Sequence, residues 1–138
     1  MAHVPLALRR AVVARAGERC EYCGLAQAGQ AAAFHLDHVL PTASGGETIL
    51  ENLALACVSC SLRKGAQRSA ADPATGKPAP LFDPRRERWA GHFQWRGMRV
   101  AGLTPSGRAT AELLRLNRPL ILAIRAEEMI RQRHPPPV

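Results

Sequence analysis

The sequence predicts an α+β fold: a small core stapled by four cysteines, then a C-terminal extension of one β-hairpin and two helices. Three observations lead to this class. The chain has 138 residues, enough for one small domain, or for one domain with an extension. Its only cysteines form two C-x2-C pairs. Short apolar segments bounded by turn and capping residues occupy most of the remainder.

Composition adds two constraints. Aromatic residues make up only 4% of the chain, so a modest core gains stability from a metal or disulfide staple. The formal net charge is +8. Residues 66–138 hold thirteen Lys and Arg against six Asp and Glu, whereas residues 1–65 hold six against five. This balance favours a polyanionic partner, and DNA is the first candidate. Arginine-rich composition without any such partner is the alternative.

The expected location is cytoplasmic. The N-terminal segment "MAHVPLALRRAVVARAG" is interrupted by arginines and lacks the apolar stretch of a secretory signal. The longest apolar runs, such as "LILAI", are too short to cross a bilayer, so no membrane partner is expected. Cysteines in such a compartment are expected to stay reduced.

Residues 1–65 are expected to form the core. "PLALRRAVVARAG" predicts a helix with Pro5 in its first turn and Gly17 as its stop. "AAFHLDHVLP" predicts a strand closed by Pro41. "TASGGET" predicts a loop that pivots at Gly45 and Gly46. "CVSCSLRKG" predicts a turn followed by a short helix.

The remainder divides into two parts. Residues 66–80 predict a linker because they are rich in Ala, Pro and Gly and have no hydrophobic period. Residues 81–138 are expected to form a basic extension that packs on the core. Within it, "HFQW" and "MRVAGL" predict two strands of a hairpin. Thr104 as N-cap and Pro105 behind it predict one helix, and a second is expected after Asn117.

The cysteines form the most specific motif: Cys20, Cys23, Cys57 and Cys60. Two thiolates separated by two residues in a tight turn can bind the same ion, so the spacing favours one structural Zn²⁺. Two disulfides are an alternative that a reducing compartment disfavours. A redox pair is a further alternative, which two pairs without any other cysteine argue against. Four thiolates fill a tetrahedral coordination sphere, so this ion is expected to stabilise the fold and leave no open catalytic position.

The segment between the two pairs carries the candidate chemistry. "HLDHVLP" places two histidines and an aspartate within four residues. Asp37 is a hard oxygen donor suited to Mg²⁺ or Mn²⁺. Histidine is the side chain that most often serves as a general base, so His38 is a candidate for that role. Asn52 follows a turn and can pin a loop through bonds between its side chain and the backbone.

These residues resemble the HNH endonuclease family. "CEYC" precedes "HLDHVLPTASGGETILENLALACVSCSLRKG", which has in order an Asp-His pair, a proline, a Gly-Gly loop, an Asn-Leu and a C-x-x-C that opens a helix. The resemblance covers about residues 18–65. It implies a ββα-metal finger with a zinc knuckle, of treble-clef-like form, and hydrolysis of DNA phosphodiester bonds with one divalent ion. Residues 66–138 resemble, less specifically, an extension of some bacterial HNH proteins.

The resemblance also implies roles for individual residues. His38 would be the general base that activates water, and Asp37 would bind the catalytic Mg²⁺ or Mn²⁺. Asn52 would hold the loop that orients His38. Arg63 and Lys64, in the helix after the second cysteine pair, would lie near DNA phosphates.

Ser61 departs from the family pattern. The family has His or Asn directly after the second C-x-x-C, as a ligand of the catalytic ion, and a serine hydroxyl is a poorer ligand. Three hypotheses remain open. Ser61 binds the ion weakly or through water; His35, on the same strand face as Asp37, supplies the missing ligand; or the ion site is degraded and the protein only binds.

Two other classes of function therefore remain beside the nuclease. One is a zinc-stapled module that binds nucleic acid without chemistry. The other is a protein-interaction module whose basic charge is incidental. Five arginines of the extension are candidates either for a DNA-facing stripe or for a solvated surface: Arg85, Arg86, Arg88, Arg96 and Arg99. Oligomeric state is not predicted.

Overall fold

The structure, a computed structural model, describes residues 3–137. These residues form two compact units. The first contains the chain up to Gln67 together with Asp83–Arg86, and the second contains Arg68–Phe82 and the chain from Glu87 onward. The described part has five α-helices and three two-stranded sheets, which confirms the α+β class. None of its helices combines the length and the apolar content needed to cross a membrane.

The first unit begins with helix α1, Leu6–Arg15, whose Val12 is fully buried. The helix ends before Gly17, which has a left-handed φ of 62° as the sequence predicted. The Arg15 guanidinium then donates to the carbonyl oxygens of Leu50, at 2.7 Å, and Leu53. These bonds attach the end of α1 to the segment that enters the second strand.

Two strands and one helix follow. Strand β1, His35–His38, pairs antiparallel with β2, Leu53–Ala56, so that His35 lies opposite Ala56 and His38 opposite Leu53. All four residues of β2 are buried. Helix α2, Val58–Lys64, begins directly after β2 and completes a ββα arrangement. Short 3₁₀ helices occupy Gln27–Gly29, Thr42–Ser44 and Leu50–Asn52.

The second unit opens with a hairpin where the composition predicted a linker. Strands β3, Ser69–Ala71, and β4, Pro78–Pro80, pair antiparallel. The turn between them forms around Asp72, whose carboxylate accepts from the Ala74 amide at 2.9 Å and forms an ion pair with Arg108 at 2.8 Å. A partner 36 residues away is not visible in local composition, which explains why the sequence predicted no structure here.

The rest of the second unit follows the predicted order. Helix α3, Trp89–His92, was not expected; it precedes the hairpin of β5, Phe93–Arg96, and β6, Arg99–Gly102. Helix α4, Pro105–Leu113, starts as predicted, because the Thr104 hydroxyl accepts from the Gly107 amide at 2.9 Å. Helix α5, Pro119–Ile130, follows Asn117. The core of this unit includes Phe82, Phe93, Val100, Leu114, Leu116 and Ile121.

Candidate active site and metal centre

The four cysteines converge in the first unit. All four are buried, and their sulfur atoms lie within 4.8 Å of one another. The Sγ atoms of Cys23 and Cys57 are 3.7 Å apart. Zinc–sulfur bonds of about 2.3 Å set the edge of a tetrahedron near 3.8 Å, so this separation fits a shared Zn²⁺. Within residues 3–137, no other group of three or more His, Cys, Asp or Glu side chains brings its ligand atoms this close.

The two cysteine pairs have the same local geometry. The Cys20 sulfur accepts from the Cys23 amide, and the Cys57 sulfur accepts from the Cys60 amide, each at 3.4 Å. Burial raises the pKa of the Cys20 thiol, while hydrogen bonds from the other thiols lower the pKa of Cys57. The Cys57 sulfur thus carries negative charge more readily than the Cys20 sulfur. A bound metal ion deprotonates all its thiol ligands, so metal binding here releases protons.

His38 lies at the end of β1 and is half-buried. Its Nε2 atom is 2.9 Å from the Thr48 hydroxyl, which belongs to the loop between the two strands. The sequence offered no signal for Thr48, since a threonine in a glycine-rich loop has no distinguishing neighbour. The bond fixes the ring orientation and leaves Nδ1 available for another partner.

Asn52 holds the same loop from the other side. Its Oδ1 atom accepts from the Leu40 amide at 2.8 Å, and its Nδ2 group donates to the carbonyls of Leu40 and Glu47 at 3.0 and 2.9 Å. Gly46 completes the loop by close approach: a Cβ atom there would lie 1.7 Å from the Leu40 carbonyl oxygen. Asn52 therefore fixes the loop that carries Thr48 by two side-chain bonds to Leu40, just after β1, and one to Glu47.

His35 and Ser61 are brought together by the packing of α2 on β1. The His35 Nδ1 atom is 2.9 Å from the Ser61 hydroxyl. Neighbouring ligands of an octahedral Mg²⁺, at about 2.1 Å from the ion, are separated by about 3 Å. The two side chains thus have the spacing of one edge of such a coordination sphere. The same separation also fits an ordinary hydrogen bond between the two side chains, and a neutral imidazole or hydroxyl is a weaker donor to Mg²⁺ or Mn²⁺ than a carboxylate.

Asp37 is buried on the same strand face as His35. Its two carboxylate oxygens lie 3.3 and 3.2 Å from the Lys64 ammonium, and its Oδ2 atom accepts from the Tyr22 hydroxyl at 2.7 Å. Burial raises the pKa of Asp37, whereas the positive charge of Lys64 opposes that rise. The carboxylate thus already holds a cation, the lysine ammonium. Its chemistry fits a divalent ion, but only one that displaces this ammonium.

The sequence led us to expect a contact between Lys64 and DNA, but the Lys64 side chain is buried. Only 2% of its side chain is exposed, and its ammonium also donates to the carbonyls of His38 and Val39 at 3.0 and 3.3 Å. A phosphate cannot reach a group so enclosed. The half-buried Arg63 donates to the Ser59 hydroxyl at 3.1 Å. Tyr22, the only tyrosine of the chain, was also not anticipated as a partner of Asp37.

Two candidates for the DNA-facing stripe belong to this unit. The Arg85 guanidinium pairs with Glu21, whose Oε2 atom accepts from the Leu55 amide at 2.7 Å. Arg86 lies 4.0 Å from Asp83 and is largely exposed. The Arg85 side chain is thus paired with Glu21, which also binds the backbone of β2, whereas the Arg86 side chain remains accessible to solvent.

Comparison with known proteins identifies the segment that carries these features. Neither curated proteins nor solved structures produced a match. Residues 20–67 match the family model of the HNH endonuclease, over about a third of the chain. The matched segment contains both cysteine pairs, β1, β2 and α2. Over residues 20–67 the chain is thus similar to the HNH endonuclease family.

Proposed function

We propose that the first unit hydrolyses phosphodiester bonds of DNA with the help of a divalent ion. The observation that carries the proposal is the orientation of His38 by Thr48 within the segment that is similar to the HNH endonuclease family. If Nε2 carries the proton and donates it to Thr48, the lone pair of Nδ1 can accept a proton from water. His38 is then the general base, and Thr48 and Asn52 are positioning residues.

The residues proposed to hold the ion are His35, Ser61 and Asp37. The 2.9 Å separation of His35 and Ser61 supports a shared ion, and Asp37 supplies the hard anionic donor on the same strand face. A bound Mg²⁺ or Mn²⁺ would stabilise negative charge on the phosphate and the leaving oxygen. Arg63 is proposed to contact a neighbouring phosphate through the donors that Ser59 leaves unused.

The proposed zinc ion at the cysteine cluster has a structural role. It joins the turn before β1 to the start of α2, because Cys20 and Cys23 precede the hairpin and Cys57 and Cys60 begin the helix. It therefore fixes the distance between β1, which carries His35 and His38, and α2, which carries Ser61. We propose DNA as the partner and make no proposal on oligomeric state.

One observation favours a second candidate function, a module that binds nucleic acid without cleaving it. The Asp37 carboxylate is buried and paired with Lys64, so the divalent ion must compete with a resident cation. If the divalent ion does not displace the Lys64 ammonium, the zinc-stapled unit binds nucleic acid but does not cleave it. This candidate predicts DNA binding that is indifferent to Mg²⁺ and to loss of the His38 imidazole.

Cleavage of supercoiled plasmid tests the proposal. Zinc-loaded protein is incubated with added Mg²⁺, with added Mn²⁺ and with neither, beside His38→Ala and the matched control His3→Ala, which alters an exposed histidine outside the site. The proposal predicts ion-dependent nicking by the wild type and the control, and a loss of about 10²–10⁴-fold in His38→Ala. Folded protein that binds DNA but never cleaves it supports the second candidate.

A further inference from the structure

The second unit contains a basic cavity that the proposed chemistry does not use. It has a volume of about 410 Å³ and lies against β6, α4 and the turn between α4 and α5. Four arginines line it, against a single carboxylate: Arg99, Arg108, Arg115, Arg118 and Glu112. The lining contains no histidine, cysteine or aspartate, so the cavity is equipped to bind an anion and not to catalyse a reaction.

Three of these arginines keep their charge uncompensated. The fourth, Arg108, forms a bidentate ion pair with Asp72: its Nε and Nη2 atoms donate to the two carboxylate oxygens at 2.9 and 2.8 Å. Its charge is therefore neutralised. Within residues 3–137, no ion pair forms at Arg99, Arg115 or Arg118. Arg99 and Arg115 are exposed. The remaining charge is therefore positive and open to an approaching ligand.

The turn that presents the arginines is fixed in place. The Asn117 side chain accepts from the Val100 amide and donates to the Val100 carbonyl, each at 2.8 Å, which attaches the turn to β6. Arg115 has a left-handed φ of 49°, a conformation that suits glycine or asparagine better than arginine. Its carbonyl accepts from the Arg118 guanidinium at 3.3 Å. These bonds hold the backbone of Arg115 and Arg118 beside the cavity that both residues line.

Helix α5 adds to the same field. It begins at Pro119, which also lines the cavity, and no side chain caps its first amides. The amino end of a twelve-residue helix carries a partial positive charge that favours anions. This contribution is supplementary, because the uncompensated arginines already define the site.

We infer that this cavity binds backbone phosphates of nucleic acid and forms a second DNA contact, separate from residues 20–67. Guanidinium groups are always charged and form paired hydrogen bonds with phosphate oxygens, which makes arginine the suitable residue for such contacts. The second unit has eleven Lys and Arg against five Asp and Glu, so its overall charge favours the same partner. The inference rests on the proposed function only for the choice of DNA as polyanion.

The test measures DNA binding apart from cleavage. Full-length, zinc-loaded protein carrying His38→Ala is titrated onto a fluorescent duplex of about 20 base pairs without added divalent ion, over a series of salt concentrations. The double variant Arg99→Gln and Arg115→Gln is compared with a control, Arg68→Gln and Lys77→Gln. The control removes the same charge from exposed positions of the same unit that do not line the cavity. Circular dichroism verifies the fold of both.

We expect the cavity variant to bind the duplex about tenfold or more weakly and to lower the salt slope by about two, while the control changes little. Equal behaviour of the two variants would overturn the inference. Pyrophosphate is titrated separately onto the wild type and the cavity variant. A variant that binds pyrophosphate more weakly but binds the duplex as well as the wild type would also overturn the inference, since the cavity would then serve a free phosphate compound. The two proposals can fail separately. If the cavity variant binds the duplex more weakly as expected, but the wild type never cleaves plasmid, this inference stands and the proposed nuclease activity is refuted.

Discussion

The Lys64 ammonium lies 3.2 Å from Oδ2 of Asp37, and both side chains are buried, at 2% and 7% exposure. The same ammonium donates to the carbonyls of His38 and Val39. One lysine thus neutralises the proposed metal ligand and holds the backbone of the proposed general base. A methionine at this position keeps the length of the side chain and removes both its charge and its hydrogen-bond donors.

The first prediction concerns this pair. In Lys64→Met the Asp37 carboxylate stays buried with the Tyr22 hydroxyl but without an opposite charge, and breaking such an ion pair costs about 3–5 kcal/mol of folding free energy. A divalent ion can then take the place of the ammonium. We expect a lower melting temperature without added ion, a larger rise on addition of Mn²⁺ than in the wild type, and tighter Mn²⁺ binding by calorimetry.

Two variants control that experiment. Lys64→Met combined with Asp37→Asn removes both charges, so we expect it to recover part of the stability and to lose the response to Mn²⁺. Arg63→Gln removes a neighbouring charge of α2 and should leave Mn²⁺ binding unchanged. An Mn²⁺ affinity that is equal in the wild type and in Lys64→Met would show that the two cations do not compete.

The second prediction concerns the loop that holds His38. In Gly46→Ala the new Cβ atom would meet the Leu40 carbonyl oxygen at 1.7 Å and the Asn52 amide nitrogen at 2.9 Å. Both belong to the backbone and side chain that fix the loop, so the loop must shift. We expect a loss of about 1–3 kcal/mol in the free energy of unfolding, measured in urea, and reduced plasmid nicking.

Gly91→Ala is the matched control, because a Cβ atom there has no heavy atom within 4 Å. It should leave stability and nicking unchanged or slightly improved. Wild-type behaviour of Gly46→Ala in both assays would mean that the loop does not need the observed approach to Leu40, and that its contacts do not position His38.

Local patterns predicted the elements whose signals are local. The two C-x2-C turns bring their thiols together because each turn closes on its own amide–sulfur bond. Thr104 and Pro105 start α4 because capping involves only neighbouring residues. The strand with His35 and Asp37 on one face follows from alternation alone. The strand half of the candidate site therefore follows from the amino-acid sequence.

Distant pairings could not be predicted in this way. Lys64 meets Asp37 across 27 residues, and Arg85 meets Glu21 across 64. Each pair depends on packing between elements, which leaves no trace in spacing or period. The Lys64 pairing matters most for the site. From the sequence alone we expected Lys64 to contact DNA and Asp37 to be available as a metal ligand.

The third prediction concerns the cysteine cluster. A chelator that removes zinc leaves four buried thiols without their shared ion. The turn before β1 and helix α2 are then no longer joined through the metal. Structural zinc sites contribute about 10–16 kcal/mol of apparent binding free energy at neutral pH. We expect chelation to increase hydrogen exchange strongly in β1, β2 and α2, measured by mass spectrometry, and added zinc to reverse the change.

Cys57→Ser should show the same loss without chelator, since its sulfur accepts from the Cys60 amide and lies 3.7 Å from Cys23. Zinc content by a colorimetric assay should fall in parallel. Full exchange protection in metal-free protein would refute the structural role of the ion.

The fourth prediction concerns acid stability of the second unit. Hydrogen bonds from Arg108 lower the pKa of Asp72 to about 2, below its value of 3.8 in an unfolded chain. A carboxylate with a lowered pKa in the folded state stabilises the fold above the unfolded pKa, and this contribution disappears as pH falls toward 2. The difference in free energy of unfolding between the wild type and Asp72→Asn should therefore be constant above about pH 5 and shrink below about pH 4. Urea titrations followed by tryptophan fluorescence measure it, because Trp89 and Trp95 both lie in this unit.

Glu112→Gln, which alters an exposed carboxylate of α4, should show no such dependence. If the Asp72→Asn difference instead stayed constant down to pH 2, the ion pair with Arg108 would not be what stabilises the β3–β4 turn.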